Sequence, residues 1–162
     1  MPARYLHAQD IIAKLQLAAH PEGGWYREIY RSAERVQRGM LSRSATTAIY
    51  YLLEQQQLSR WHVVDADELW HFYAGAPLEL LTYEPTSRLL ERHVLDTPGG
   101  SELPIGVVRA GVWQAARSLG DYSLVGCTVS PGFEFSGFRF VDTLPDHRQH
   151  FVADMAPLAD LL

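Results

Sequence analysis

The chain has 162 residues, a formal charge of −5 and a charged fraction of 20 %. That length fits one domain, residues 1–162, and 47 % apolar residues are enough to build a core. The mild acidity speaks against a nucleic-acid partner, which needs a basic footprint. The absence of any apolar run near the roughly 20 residues of a bilayer span speaks against a membrane protein.

The N-terminal stretch "MPARYLHAQDIIAKLQ" lacks the basic-then-apolar order of a secretory signal, and a cytoplasmic location is expected. Within it, Ala8, Ile11, Ile12 and Leu15 follow helical spacing and predict a short helix over residues 8–17. "HPEGG" at 20–24 reads as a turn entering a strand. It is either structural or places Glu22 and Trp25 at the rim of a pocket. The following "WYREIYR" alternates aromatic, charged and apolar residues and suits strand pairing across a homodimer interface.

From residue 23 onward, short runs of Val, Ile, Tyr, Trp and Phe alternate with Gly, Pro, Asp and Ser. They predict strands near 24–31, 45–53, 59–64, 68–74, 78–84, 89–95, 105–109, 112–117, 122–129 and 137–141. With no helices between them, the architecture expected is all-β and antiparallel, a sandwich or barrel. Alternation of side chains puts Glu68, Trp70 and Phe72 on one face and His71 on the other. Val112, Gln114 and Ala116 likewise share a face. His62 and Glu68 flank the tight turn "VVDAD", which predicts a hairpin, with Asp65 and Asp67 in its loop. Cys127, the single cysteine, excludes an internal disulfide and a thiolate metal cage; in "SLVGCTVS" it reads as a small buried residue. The tail "LPDHRQHFVADMAPLADLL" suggests a further short helix starting near Pro145, with His147 and His150 on its surface.

Two segments resemble the paired motifs of the cupin superfamily. The first motif has two histidines, a glutamate and a closing glycine. Here His62, Glu68 and Gly75 match, and Val64 stands where the second histidine would be. The second motif is weaker: Gly106 and Gly111 match, while Arg109 replaces a proline, Gln114 a histidine and Ser118 an asparagine. The blocks "HPEGGWYREIYRS", "TAIYYLL", "WHVVDADELWHFYAGAPLEL", "AGVWQAA" and "SLVGCTVSPGFEFSGF" together resemble a small family of single-domain, cupin-5-like proteins without a settled activity.

The resemblance implies an antiparallel cupin barrel, or jelly roll, with a pocket at its mouth. It implies a divalent metal (iron, manganese, nickel or zinc) on His62, Glu68 and Gln114, joined by His71 if a bulge turns it inward. Two good ligands seldom hold such an ion, so no tightly bound metal is expected. Three functions stay open. One is a metal-independent isomerase or epimerase on a small molecule, with His62 as base, Glu68 as its orienter or as an acid, and Tyr50 as the opposing acid. The second is a metal-dependent oxygenase or isomerase, and the third a ligand-binding sensor without chemistry. In each, Trp70, Phe72 and Phe133 join Glu22, Trp25 and Gln114 as candidate ligand contacts.

Overall fold

A computed structural model describes residues 7–99 and 102–141; the expected C-terminal helix, with His147 and His150, lies outside them. Helix α1 (Ala8–Leu15) is shorter than predicted. Gln16 takes a left-handed conformation and ends it, and Leu17 folds under. Its apolar stripe, Ile11 and Ile12, packs on Leu52.

The rest is antiparallel sheet. A six-stranded sheet has the order β1 (Ala18–Ala19), β2 (Trp25–Arg31), β5 (Thr47–Glu54), β12 (Tyr122–Ser130), β7 (Asp67–Gly75), β10 (Ile105–Val108). A five-stranded sheet has the order β13 (Phe138–Phe140), β6 (Leu58–Val64), β11 (Trp113–Ser118), β8 (Leu78–Glu84), β9 (Leu89–Leu95). The predicted strands are present, and a hairpin of β3 (Arg35–Arg38) and β4 (Leu41–Ser44) adds to them. That hairpin is rich in Arg and Ser and has no apolar alternation to reveal it. The two large sheets stack as a jelly-roll sandwich and are not closed into a barrel. The "WYREIYR" strand is β2, which pairs within the chain along β5.

The main core lies between the sheets and joins Tyr51, Leu53, Trp70, Phe72 and Val125 of one to Leu78, Leu80 and Ala116 of the other. A second apolar cluster, including Trp61, Val63, Tyr83 and Trp113, sits on the face of the five-stranded sheet turned away from that core. Burying this much apolar area at ~25 cal/mol per Å² is the main driving force for the fold.

One prediction about connectivity fails, and the failure sets up the site. β6 and β7 do not form a hairpin: β6 pairs with β11 and β13, and β7 with β12 and β10. The link between them, Asp65–Ala66, turns the chain from one sheet to the other. The Arg43 guanidinium holds the Asp65 carboxylate at 2.7 Å, and the Asp65 N–H donates to the Gly137 carbonyl at 3.1 Å. Val64 and Ala66 are both buried, packed with Val129. His62 and Glu68 therefore reach the interior from opposite sheets.

The turn before β2 is pinned just as tightly. Gly23 donates to the His20 carbonyl, and the Glu22 carbonyl accepts from Arg60 of β6. Gly23 has φ +110°, and a Cβ there would lie 2.0 Å from the Leu58 carbonyl oxygen. Gly39 also has a positive φ, +61°, but a Cβ there meets nothing within 4 Å. Gly23→Ala is expected to cost about 3 kcal/mol or more, combining backbone strain with a backbone clash. Gly39→Ala should cost only about 1 kcal/mol for the left-handed conformation. Urea unfolding of the two variants checks the contrast; equal losses would contradict the packing described.

Candidate functional site

At one end of the sandwich the apolar core gives way to a cavity of about 140 Å³. Its floor carries His20, Glu22, His62, Glu68 and Cys127. Its mouth carries Glu28, Arg31, Glu134 and the rings of Phe133, Phe135 and Phe138. The floor residues come from the turn before β2, from the end of β6, the start of β7 and the middle of β12, so both sheets contribute.

His62 is 2 % exposed. Its Nδ1 lies 2.6 Å from the Arg60 carbonyl, which can only accept, so the Nδ1 proton is fixed there and Nε2 is the basic nitrogen. Phe138 stacks on the ring at 5.0 Å. Burial lowers the pKa of His62, although the nearby Glu68 carboxyl works the other way.

Glu22 is buried beside it. Its Oε1 accepts from the Ser59 hydroxyl at 2.9 Å, and its Oε2 lies 3.4 Å from His62 Nε2. Burial raises the pKa of Glu22. Burial thus disfavours the charged form of both groups. His20 adds no charge: its Nδ1 accepts the Glu22 N–H at 3.1 Å, which an imidazolium cannot do. Burial also lowers its pKa. The 3.8 Å separation between His20 Nδ1 and Glu22 Oε2 is accordingly not an ion pair.

Glu68 faces this pair from the other sheet and is 8 % exposed. Gln114, cross-strand from His62, donates its side-chain amide to Glu68 Oε2 at 2.6 Å. The orientation of that amide is settled by Trp70, whose Nε1–H donates to Gln114 Oε1 at 2.9 Å. An indole can only donate, so the amide oxygen must face Trp70 and the NH2 must face Glu68. Burial pushes the Glu68 carboxyl up to about 7, with Glu22 adding to the rise; His62, Gln114 and the Cys127 thiol oppose it. Cys127 itself is held as a thiol, chiefly by burial and then by the two carboxyls.

The metal set implied by the resemblance does not fit this arrangement. Gln114 presents NH2, not oxygen, to the site. Val64 offers no donor. His71 sits on the opposite face of β7, 3.3 Å from the Thr128 hydroxyl, and no bulge turns it in. Among the described residues no three His, Cys, Asp or Glu side chains are grouped to hold an ion.

Other expected contacts are also displaced. Tyr50 lies on the outer face of β5, near Tyr73 and under helix α1, so it is no opposing acid. Its neighbour Tyr51 points inward instead and donates to the Gly23 carbonyl at 2.7 Å. Trp25 is outside too, with its Nε1–H on Glu54 at 2.8 Å. Trp70 and Phe72 are core residues that do not line the cavity. Glu22 is deep in the floor rather than at the rim, while Phe133 lines the mouth. Asp67 opens β7 and binds the Ala110 N–H and Arg109. His20 and Cys127 join the floor without having been singled out as site residues. For His20 the signal available was its place in "HPEGG", two residues before Glu22.

Comparison with known proteins agrees with this fold. The family profile described as "Cupin superfamily (DUF985)" matches residues 9–141. A solved protein of Shewanella oneidensis is 35 % identical, with TM-score 0.79 over 90 % of this chain and 92 % of its own. A hypothetical protein from Leishmania major is 31 % identical, with TM-score 0.75 over 88 % of this chain and 94 % of its own. The Bacillus subtilis oxalate decarboxylase, at 10 % identity, TM-score 0.59, and 89 % of this chain against 36 % of its own, shares the fold alone. No curated protein matches in sequence. By its profile match and these two relatives, the chain belongs to the DUF985 family of the cupin superfamily.

Proposed function

We propose that the cavity binds a small molecule and moves a proton on it, in the manner of a metal-independent isomerase or epimerase. The observation that carries this reading is the pairing of two protonation units across the cavity, each held in one orientation by groups outside it. On one side His62, its Nδ1 tied to Arg60, offers Nε2 as base with Glu22 to share the proton. On the other side Glu68, steered by Gln114 and Trp70, is an acid tuned to neutral pH. General acids and bases work best when their pKa lies near the working pH, and a positioned pair contributes about 10²–10⁴-fold per group. Tyr50 is replaced in this scheme by Glu68 as the proton donor.

The test is solvent exchange. A panel of small hydroxy- and amino-carbonyl compounds is incubated with the protein in D2O and followed by proton NMR. Loss of a carbon-bound proton signal from at least one compound is expected. His62→Ala and Glu68→Gln should each slow that loss by about 100-fold or more. Binding of a compound without any exchange would favour the sensor reading instead.

Glu68 also makes a stability prediction. Its folded pKa of about 7 exceeds the ordinary 4.5, so between these values the folded chain holds more protons than the unfolded one. Stability contributed by the neutral carboxyl is therefore complete below about pH 4.5 and declines as pH rises through about 7. Glu68→Gln keeps an acceptor for Gln114 and removes the titration. It should be more stable than the parent at pH 8, by on the order of 3 kcal/mol, and equal to it near pH 4. Urea midpoints at the two pH values decide; a constant difference between the proteins would show that Glu68 is not buried as a neutral acid.

A further inference from the structure

The mouth of the cavity carries information about what enters it. Arg31 is the one arginine or lysine among the described residues that line the cavity. Its guanidinium is already committed: Glu28 accepts from it at 3.0 and 2.9 Å, Glu134 at 3.2 Å, and the Phe133 carbonyl at 3.1 Å. Two carboxylates therefore face one cation at the entrance, and an arriving carboxylate or phosphate would have to displace one of them. His20 does not offset this, since its hydrogen bond keeps it neutral, and burial disfavours the charged form of His62. The third element of the mouth is a wall of three phenyl rings. Phe133, Phe135 and Phe138 meet edge to face, with centroids 5.0 to 6.3 Å apart. Aromatic faces attract cations through their quadrupole, and cages of such rings recognise ammonium ligands; a nearby carboxylate adds Coulombic attraction. The glutamates stand close to this wall: Arg31 bridges Glu134 and the backbone of Phe133.

We infer that the pocket takes a small cationic molecule, an amine, with its ammonium group between the Phe133–Phe135–Phe138 wall and the carboxylates of Glu28 and Glu134. The inference rests on the reading of this cavity as the ligand site, and it adds the charge class of the ligand. It also assigns roles: the mouth recognises the ammonium group, and the floor acts on the remainder.

Three probes of the same shape separate the charge classes: benzylamine, benzyl alcohol and benzoate, titrated into the full chain at neutral pH by calorimetry. Benzylamine is expected to bind at least about tenfold more tightly than the other two, a difference of about 1.4 kcal/mol. The double variant Glu28→Gln/Glu134→Gln should remove that preference. Arg31→Met, which frees both carboxylates, should strengthen benzylamine binding several-fold. Tighter binding of benzoate, equal binding of all three, or no binding of any at millimolar concentration would overturn the inference. So would a preference that survives in the double variant. The outcome is independent of the exchange assay. Selective amine binding without proton exchange would sink the catalytic reading and leave this one standing, and exchange confined to neutral or anionic compounds would do the reverse.

Discussion

A carboxyl group between two apolar sheets must be neutral or paired, because an isolated buried charge costs several kcal/mol or more. This molecule buries two, Glu22 and Glu68, on the floor of one cavity. Neither has an arginine or lysine hydrogen-bonded to it among the described residues. Each is instead satisfied by neutral donors, Ser59 for Glu22, Gln114 and Cys127 for Glu68, and each has its pKa raised. Much of the architecture at this end serves that arrangement. Trp70 spends its indole N–H orienting Gln114, and Arg60 spends a carbonyl orienting His62. An arginine or lysine partner at either position would have held the carboxyl charged, with its pKa lowered instead of raised. By contrast, Glu79, on the far side of the sheet, is paired with Arg92 and Arg117 and its pKa is lowered. The chain uses both solutions, and the unpaired one is found where the cavity is.

The second constraint is topological. Because Asp65–Ala66 passes between sheets, residues six apart in sequence face each other across a sandwich instead of lying side by side. A hairpin would have packed His62 and Glu68 on one surface with no room between them. The crossing opens a gap, and the Arg43–Asp65 ion pair with the Gly137 contact fixes where the gap begins.

How much of this was legible in the sequence varied with the physics behind each feature. Strand positions were readable because β-branched and aromatic runs alternate with turn residues. The inward set of β7, Glu68, Trp70 and Phe72, was readable because its alternation is regular. Tyr50 and Tyr51 were not, since "TAIYYLLE" is apolar on both faces: one packs on the core and the other under α1. Parity gives no answer when both faces are buried. The hairpin was misread for a related reason. A two-residue link between strands suits a tight turn or a sheet crossing equally well, and only distant partners such as Arg43 decide. The family resemblance supplied the fold and the convergence of His62, Glu68 and Gln114. It could not supply the role of Gln114, which depends on an indole donor at Trp70 that no motif position records.

The floor and the mouth differ in how they are built. On the floor His62, Glu68 and Cys127 are woven into strands whose register is fixed by ladder hydrogen bonds, so a change there disturbs both sheets. The mouth rings belong largely to a short connection, residues 131–137, that leaves β12 of one sheet and returns as β13 of the other. Within it Phe133 and Phe135 can change without moving a strand, but Gly137 cannot, since a Cβ there would lie 2.2 Å from the Asp65 carboxylate. The entrance can thus be reshaped at those two ring positions while His62 and Glu68 stay where the two sheets hold them.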